Sequence, residues 1–159
     1  MKLNKILKSF LIVFAGFLIT LNFMAGSALA DAPIKLDLAG QFKVYANNEQ
    51  GVKVFYPATK FSDYGDYFFH ADGIWKGGPD IDKCGPEGDP DYWNRGQMMD
   101  PQYDPFSLII NCDIPLEEYQ YTRNPEIPLY KDQTCAFLMN DANYPDNTGY
   151  LTVEYVRMN

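Results

Sequence analysis

The sequence predicts an all-β protein with a jelly-roll β-sandwich fold, and two observations carry this prediction. Apolar and polar residues alternate over several short runs, which is the pattern of strands with one buried face. Glycine and proline account for 12 and 11 of the 159 residues and punctuate the chain throughout. No long window carries an apolar stripe at helical spacing, so the pattern favours a sandwich with long loops.

The first thirty residues, 1–30, are expected to be a secretory signal peptide. Three lysines within residues 2–8 precede an apolar run from residue 10 to 21, and Ala28-Leu29-Ala30 is a small-residue cleavage site. A membrane anchor is the alternative, but the apolar run is short for a span and no second one follows. We therefore expect a secreted product, residues 31–159, that folds as one domain and is not inserted in a membrane after cleavage.

The predicted mature chain is strongly acidic. The protein has 21 Asp and Glu against 13 Lys and Arg, and three of those lysines but no acid lie in the first thirty residues, so the mature net charge is −11. A chain this acidic is not expected to follow a phosphate backbone, which argues against nucleic acid as a partner. The balance fits a secreted protein with cation sites.

Five strands are predicted from alternation with a period of two. Their inward-facing residues are, in chain order, Phe42, Val44 and Ala46; Val52, Val54 and Tyr56; Leu108, Ile110 and Cys112; Cys135, Phe137 and Met139; and Leu151, Val153 and Tyr155. Two long loops are predicted, from Gly73 to Pro105 and from Asp113 to Asp132. Loops of this length are uncommon unless they are functional or disordered.

The three cysteines, Cys84, Cys112 and Cys135, would meet an oxidising compartment. They allow one disulfide, in three alternative pairings, with one thiol left over. We expect that thiol to be unreactive, because nothing in the sequence ties the single histidine, His70, to any cysteine.

The segment from Asn140 to Gly149 carries two carboxylates and three side-chain amides between two predicted strands. Such a density of oxygen donors suits a hard cation, above all Ca²⁺, which takes about six to eight oxygen ligands. Asp141, Asp146 and Asn147 can supply side-chain oxygens, and the Asn143 carbonyl one more, which leaves positions for water or for paired sugar hydroxyls. The alternative is an Asx-rich turn whose side chains cap its own backbone.

Other features of the sequence do not indicate an enzyme. There is no nucleophile elbow, no Ser/His/Asp arrangement and no phosphate-binding loop, and no pair among the 21 acids stands out as a glycosidase pair. The segment from Asp80 to Gly85 begins like an EF-hand but has Cys84 in place of an oxygen ligand, so it is interpreted as a solvated loop. Trp75, Tyr92 and Trp93 could each pack on a sugar ring or close the end of the sandwich.

Four segments carry short motifs: V-x-A-N-N-E-x-G at residues 44–51, A-x-G ending in Gly-Pro at 71–79, K-x-G-P-x-G-D at 83–89, and the oxygen-rich loop and following strand at 140–153. In their order and spacing they resemble the PA-IL-like (LecA-like) bacterial galactophilic lectins, a family of small calcium-dependent jelly rolls of galactose-binding-domain-like architecture.

The resemblance implies a set of ligand residues. Calcium would be held by Asp141, Asp146, Asn147 and the carbonyls of Gly77 and Asn143. Sugar contacts would come from Gly77, Pro79, Tyr92, Arg95, Asp141, Ala142 and Asp146. Two neighbouring sugar hydroxyls would complete the calcium shell.

Several positions depart from the family pattern. Asp146 replaces an Asn and adds charge, while Gly77 replaces a Tyr and keeps only the carbonyl. Tyr92 and Arg95 fall near a His and a Gln that contact sugar, so galactose specificity is open, and residues 113–131 align poorly. We expect a secreted, non-enzymatic, calcium-dependent lectin. The family often forms small homo-oligomers, and the sequence leaves the oligomeric state open. The alternatives are a calcium-stabilised structural or adhesive domain and an accessory carbohydrate-binding module.

Overall fold

The computed structural model describes residues 32–57, 64–113, 117–121, 125–131 and 133–158. These residues form two β-sheets that pack against each other, so the predicted β-sandwich is confirmed. The predicted signal peptide, residues 1–30, lies outside the described residues. Within the described ranges, no helix has the length and apolar character needed to span a membrane.

Five strands make the first sheet and four make the second. The first sheet has the order β1 (Ile34–Lys35), β3 (Val52–Phe55), β8 (Thr134–Met139), β5 (Leu108–Cys112) and β6 (Glu117–Gln120). The second has the order β2 (Ala39–Tyr45), β9 (Thr148–Arg157), β4 (Tyr64–Lys76) and β7 (Glu126–Tyr130). Only the pairing of β1 with β3 is parallel among these strands. Two short 3-10 helices, Arg95–Gln97 and Tyr144–Asp146, lie in the connections.

Aromatic side chains from both sheets meet in the core. The ring of Phe137, on β8, lies with its centroid 5.1 Å from that of Phe42 on β2 and 5.0 Å from that of Phe69 on β4. The inward-facing residues predicted for the five strands are buried, except that Val52 is half-buried. Alternation in the sequence therefore identified the face that each of these strands turns to the core.

Both predicted long loops need correction. Residues 73–76 are not loop but the last part of β4, so the first connection begins at residue 77. The second prediction is wrong, because residues 113–132 contain β6 and β7. Pro128 lies within β7, and β7 is at the edge of its sheet, where the missing N–H of proline is tolerated.

The disulfide joins Cys112 to Cys135, which lie directly opposite each other on β5 and β8. Cys84 is the free thiol and is half-buried. Burial raises the pKa of Cys84 to about 11, the negative charge of Asp89 adds to the rise, and a hydrogen bond with Trp75 opposes it. A thiol with so high a pKa is almost entirely protonated at neutral pH, so it is a poor nucleophile.

Candidate metal and ligand site

An open cavity of about 540 Å³ lies beyond the ends of β4 and β8. Three segments surround it: residues 77–81, which follow β4; residues between 92 and 98, around the first 3-10 helix; and residues 141–146, which follow β8. Phe106, which is outside these three segments in sequence, also lines the cavity. Two of these segments, which are far apart in sequence, reach the cavity because they directly follow β4 and β8.

Most of the site residues predicted from the sequence are brought together here. Those that line the cavity are Gly77, Pro79, Tyr92, Asp141, Ala142, Asn143 and Asp146. Asn147 is buried next in sequence to Asp146 and does not line the cavity surface, and Arg95 lies outside the lining as well.

Two buried side-chain oxygens of the loop after β8 have no hydrogen-bond partner among the residues that the structure describes. Asp141 is 4% exposed; its Oδ1 accepts a hydrogen bond from the Asn143 N–H at 3.1 Å, while its Oδ2 accepts none. Asn147 is 3% exposed; its Nδ2 donates to the Ala46 carbonyl at 3.2 Å, while its Oδ1 has no partner. Buried polar atoms are nearly always paired, so two acceptors without donors in one loop indicate that something else satisfies them.

The charges around Asp141 favour a cation. Burial is the strongest influence and raises the pKa of the Asp141 carboxyl. The backbone N–H groups of Asn143 and Ala142 and the side chain of Asn147 lower the pKa, and the negative charge of Asp146 raises it again. Asp146 faces the same space, with its Oδ2 3.3 Å from where a Cβ on Gly78 would lie. A cation near both carboxylates would remove this repulsion.

The donor set fits Ca²⁺. It consists of two carboxylates and one amide oxygen. Gly77 and Asn143, whose carbonyls are the further ligands implied by the resemblance, also line the cavity. Within the described ranges, neither this site nor any other place in the protein has three or more His, Cys, Asp or Glu side chains close enough to hold a metal ion together. A mixed set of hard oxygens without nitrogen or sulfur is the preference of Ca²⁺ rather than of zinc or copper.

Asn140, next to Asp141, holds the neighbouring loop in place. Its side chain is fully buried and makes two hydrogen bonds with the backbone of Asp100. The Asn140 Oδ1 accepts from the Asp100 N–H at 2.9 Å, and the Asn140 Nδ2 donates to the Asp100 carbonyl at 2.9 Å. The same Nδ2 donates to the Asp104 carbonyl at 3.2 Å. The sequence motif includes Asn140, but its amide binds the backbone of the neighbouring loop, and Asn140 does not line the cavity.

Two further contacts position the loop after β8. The Ala142 N–H donates to the Gln97 carbonyl at 3.1 Å and so joins this loop to the first 3-10 helix. The Tyr144 hydroxyl, buried, donates to the Met139 carbonyl at 2.5 Å. The first bond joins two sides of the cavity, and the second holds the loop to the end of β8. Sequence reasoning assigned no role to Gln97 or Tyr144.

Phe106 is the main residue of the cavity wall that sequence reasoning missed. Its backbone has a φ of 59°, and its carbonyl accepts a 2.8 Å hydrogen bond from the buried Trp75 Nε1. The Tyr92 ring packs edge-on against the Phe106 ring at 4.9 Å between centroids. Nothing in the surrounding Asp-Pro-Phe-Ser sequence distinguishes Phe106 from an ordinary turn residue. Of the two tryptophans considered, Trp75 is buried in the core, and Trp93 is 83% exposed outside the cavity lining.

Arg95 does not point its charge into the cavity. Its guanidinium donates to the carbonyls of Pro90 and Tyr103 at 3.2 and 3.4 Å, and it pairs with the Asp104 carboxylate at 3.1 Å. These bonds join the segment that carries Tyr92 to the loop that Asn140 holds. The position of Arg95 therefore suits support of the cavity wall better than the sugar contact implied by the resemblance.

Comparison with known proteins shows similarity at the level of structure. No protein-family model matches the chain, and no curated protein matches it. The chain is similar to a solved structure described as the EclA N-terminal domain, a PllA-like lectin, with a TM-score of 0.49 and 18% sequence identity. The match covers 74% of this chain and 94% of that chain.

Proposed function

We propose that this protein is a secreted, non-enzymatic lectin that binds Ca²⁺ and, beside it, a saccharide of galactose type. The observation that carries the proposal is the pair of buried acceptors without donors, Asp141 Oδ2 and Asn147 Oδ1. Asp141 lines the open cavity, and Asn147 is buried outside its lining. Burying such groups unpaired is costly, and a bound cation removes the cost.

The metal would be held by Asp141, Asp146 and Asn147, with the carbonyls of Gly77 and Asn143 as further ligands. Asp141 already gives one oxygen to the Asn143 N–H, which orients the second oxygen for a ligand. Asn147 gives its amide nitrogen to Ala46, which likewise leaves the oxygen available. When bound, Ca²⁺ supplies coordination positions that two neighbouring sugar hydroxyls can take.

The rest of the cavity suits a saccharide. Its volume of about 540 Å³ is within the usual range of small-ligand sites. The Tyr92 ring is held by Phe106 and offers an apolar surface to the ring face of a sugar. Pro79 and Ala142 add small apolar surfaces to the lining. The proposal that the saccharide is of galactose type is supported only by the four sequence motifs.

Calorimetry with Ca²⁺ and then with galactose, in the wild type and two variants, tests the proposal. Asp141→Asn should lose calcium and sugar binding together, because it removes a charged ligand. Tyr92→Ala should keep calcium binding and weaken sugar binding by about 1–2 kcal/mol, in the range of lost aromatic contacts. A protein that binds Ca²⁺ but no sugar on a broad glycan array would instead be a calcium-stabilised structural or adhesive domain.

A further inference from the structure

The outer face of the second sheet exposes many large apolar side chains. Ten such side chains are exposed in the described part of the chain, and none of them lies on a strand of the first sheet. Six lie on strands of the second sheet: Tyr45, Tyr64, Ile74, Tyr130, Tyr150 and Val156. The solvent face of an antiparallel sheet is usually polar, and a concentration of exposed apolar groups marks an interaction surface.

Three of these side chains form one row across the sheet. Tyr150, on β9, is the register partner of Tyr45 on β2 and of Ile74 on β4. The rings of Tyr45 and Tyr150 are 5.6 Å apart between centroids and are tilted by 53° to each other. Rings so tilted do not form one flat surface for stacking a sugar chain, so a second protein surface that packs around them is the better match.

The next row carries opposite charges on the two sides of β9. Thr152 of β9 is the register partner of Lys43 on β2 and of Asp72 on β4, and both charged side chains are exposed. The Lys43 ammonium lies 4.1 Å from the centroid of the Tyr150 ring, and the Asp72 Oδ1 accepts from the Gly73 N–H at 2.8 Å. Among the described residues, neither charge has an ion-pair partner.

This charge pattern makes the face complementary to a second copy of itself. Two copies that pack face to face about a two-fold axis parallel to β9 place β2 of each copy over β4 of the other. Lys43 of each copy then faces Asp72 of the second copy, and the two Tyr150 rings meet at the axis. A two-fold axis across the strands at this row would instead place Lys43 against Lys43, so the charges select the first arrangement.

The other charged side chains of this face were considered in the same arrangement. Glu154, on β9, has His70 of β4 as its register partner, and the Glu154 carboxylates of the two copies would face each other across the axis. This repulsion opposes the dimer and therefore provides a test. Lys76, Asp66 and Glu126 lie outside the rows of Tyr150 and Thr152.

We propose that the face formed by β2, β9 and β4 joins two copies of this chain in a symmetric dimer whose axis is parallel to β9. The contacts are the row of Tyr45, Tyr150 and Ile74 and two pairs of Lys43 with Asp72. A rotation about an axis along the strands leaves their direction unchanged, so both cavities lie at the same end of the dimer. In combination with the proposed function, which the dimer itself does not require, two saccharide sites then reach one glycan surface together.

The test is sedimentation equilibrium of the purified full-length chain, with Ca²⁺ and without sugar, from about 1 to 100 μM. The patch is roughly 14 by 24 Å, given the spacings of strands and residues, so we expect a weak dimer with a Kd in the micromolar range. Lys43→Glu and Asp72→Lys should each raise this Kd by roughly tenfold or more, because every dimer contains the contact twice. The variant with both substitutions should regain most of the affinity, because the reversed charges attract again.

Control variants make the same charge changes away from the face. Lys35→Glu alters an exposed residue of β1 in the first sheet, and Asp82→Lys alters an exposed residue in the connection after β4. Both should keep the wild-type Kd. Glu154→Gln removes the repulsion at the axis and should lower the Kd by roughly two- to fivefold. Circular dichroism checks that each variant is folded.

Three results would overturn the proposal. The first is a wild type that stays monomeric over the whole concentration range. The second is a dimer that the single charge reversals do not weaken, or that the double reversal does not restore. The third applies if a single reversal unfolds the chain: an unchanged or raised Kd in Glu154→Gln then rejects this face. A dimer that behaves as expected but binds no sugar refutes the proposed function and leaves the dimer in place.

Discussion

At the scale of single residues, Gly77 shapes the cavity wall. A Cβ at this position would overlap the ring of Phe106, which is 2% exposed and packed against Tyr92, so the ring cannot move aside freely. We therefore expect Gly77→Ala to lower the free energy of unfolding by about 1–3 kcal/mol, the usual cost of overpacking. Urea unfolding in the presence of a chelator measures this without any contribution from a bound metal.

Gly96 provides the matched control for Gly77→Ala. It also lines the cavity, but a Cβ there would have Asn94 Oδ1 as its nearest neighbour, at 3.8 Å. Gly96→Ala should change the free energy of unfolding by less than about 0.5 kcal/mol, as open surface positions usually do. Equal losses in the two variants would show that the Phe106 ring does not constrain Gly77.

The residue scale also shows how far the sequence could predict the site. Asp141, Asp146 and Asn147 were identifiable because polar oxygens are dense in that loop, and the structure places two of them at the cavity with Asn147 buried beside them. Phe106 was not identifiable, because its role depends on a backbone turn and on contacts with Trp75 and Tyr92 that no local pattern encodes. Side-chain chemistry was thus easier to predict than the packing that positions it.

At the scale of elements, the disulfide between β5 and β8 stabilises the first sheet. Cys112 and Cys135 are separated by 23 residues, and closing a loop of that length removes unfolded-state entropy worth about 3 kcal/mol. Replacing both cysteines with alanine should lower the free energy of unfolding by an amount of that order. The control is Cys84→Ala, which removes the free thiol and should leave most of the stability. A double variant as stable as the control would contradict the prediction.

The sequence pattern predicted some strands but not others. Five were predicted because their apolar residues fall on one face only. The longest strand, β4, was not, because Phe68 and Ile74 lie on its outer face and Gly65 and Gly73 interrupt its inner one. Pairing with β9 and β7 on both sides stabilises β4 despite this weak pattern. Strand pairing of this kind cannot be predicted from the pattern of one segment, because it depends on residues that are distant in sequence.

At the scale of the whole molecule, calcium is expected to stabilise the fold. A ligand that binds only the folded state raises the free energy of unfolding by about 2.7 kcal/mol at a hundredfold excess over its Kd. The melting temperature should therefore rise with added Ca²⁺ and fall with a chelator in the wild type, and Asp141→Asn should show neither change. Asp82→Asn is the charge-matched control and should respond as the wild type does. The same melting curve with Ca²⁺ and with chelator would reject the metal site.

The position of β9 has a consequence for the order in which the protein can fold during its synthesis. This strand follows all the other described strands in the chain, yet it lies between β2 and β4, and β2 pairs with no other described strand. Because more than 100 residues separate the end of β2 from the start of β9, β2 must wait for most of the domain to be synthesised before it can pair. Asn147 immediately precedes β9 and bonds Ala46, which immediately follows β2. The four-stranded sheet is therefore completed by one late event, the pairing of β9 with β2 and β4, and the same event brings Asn147 to Ala46.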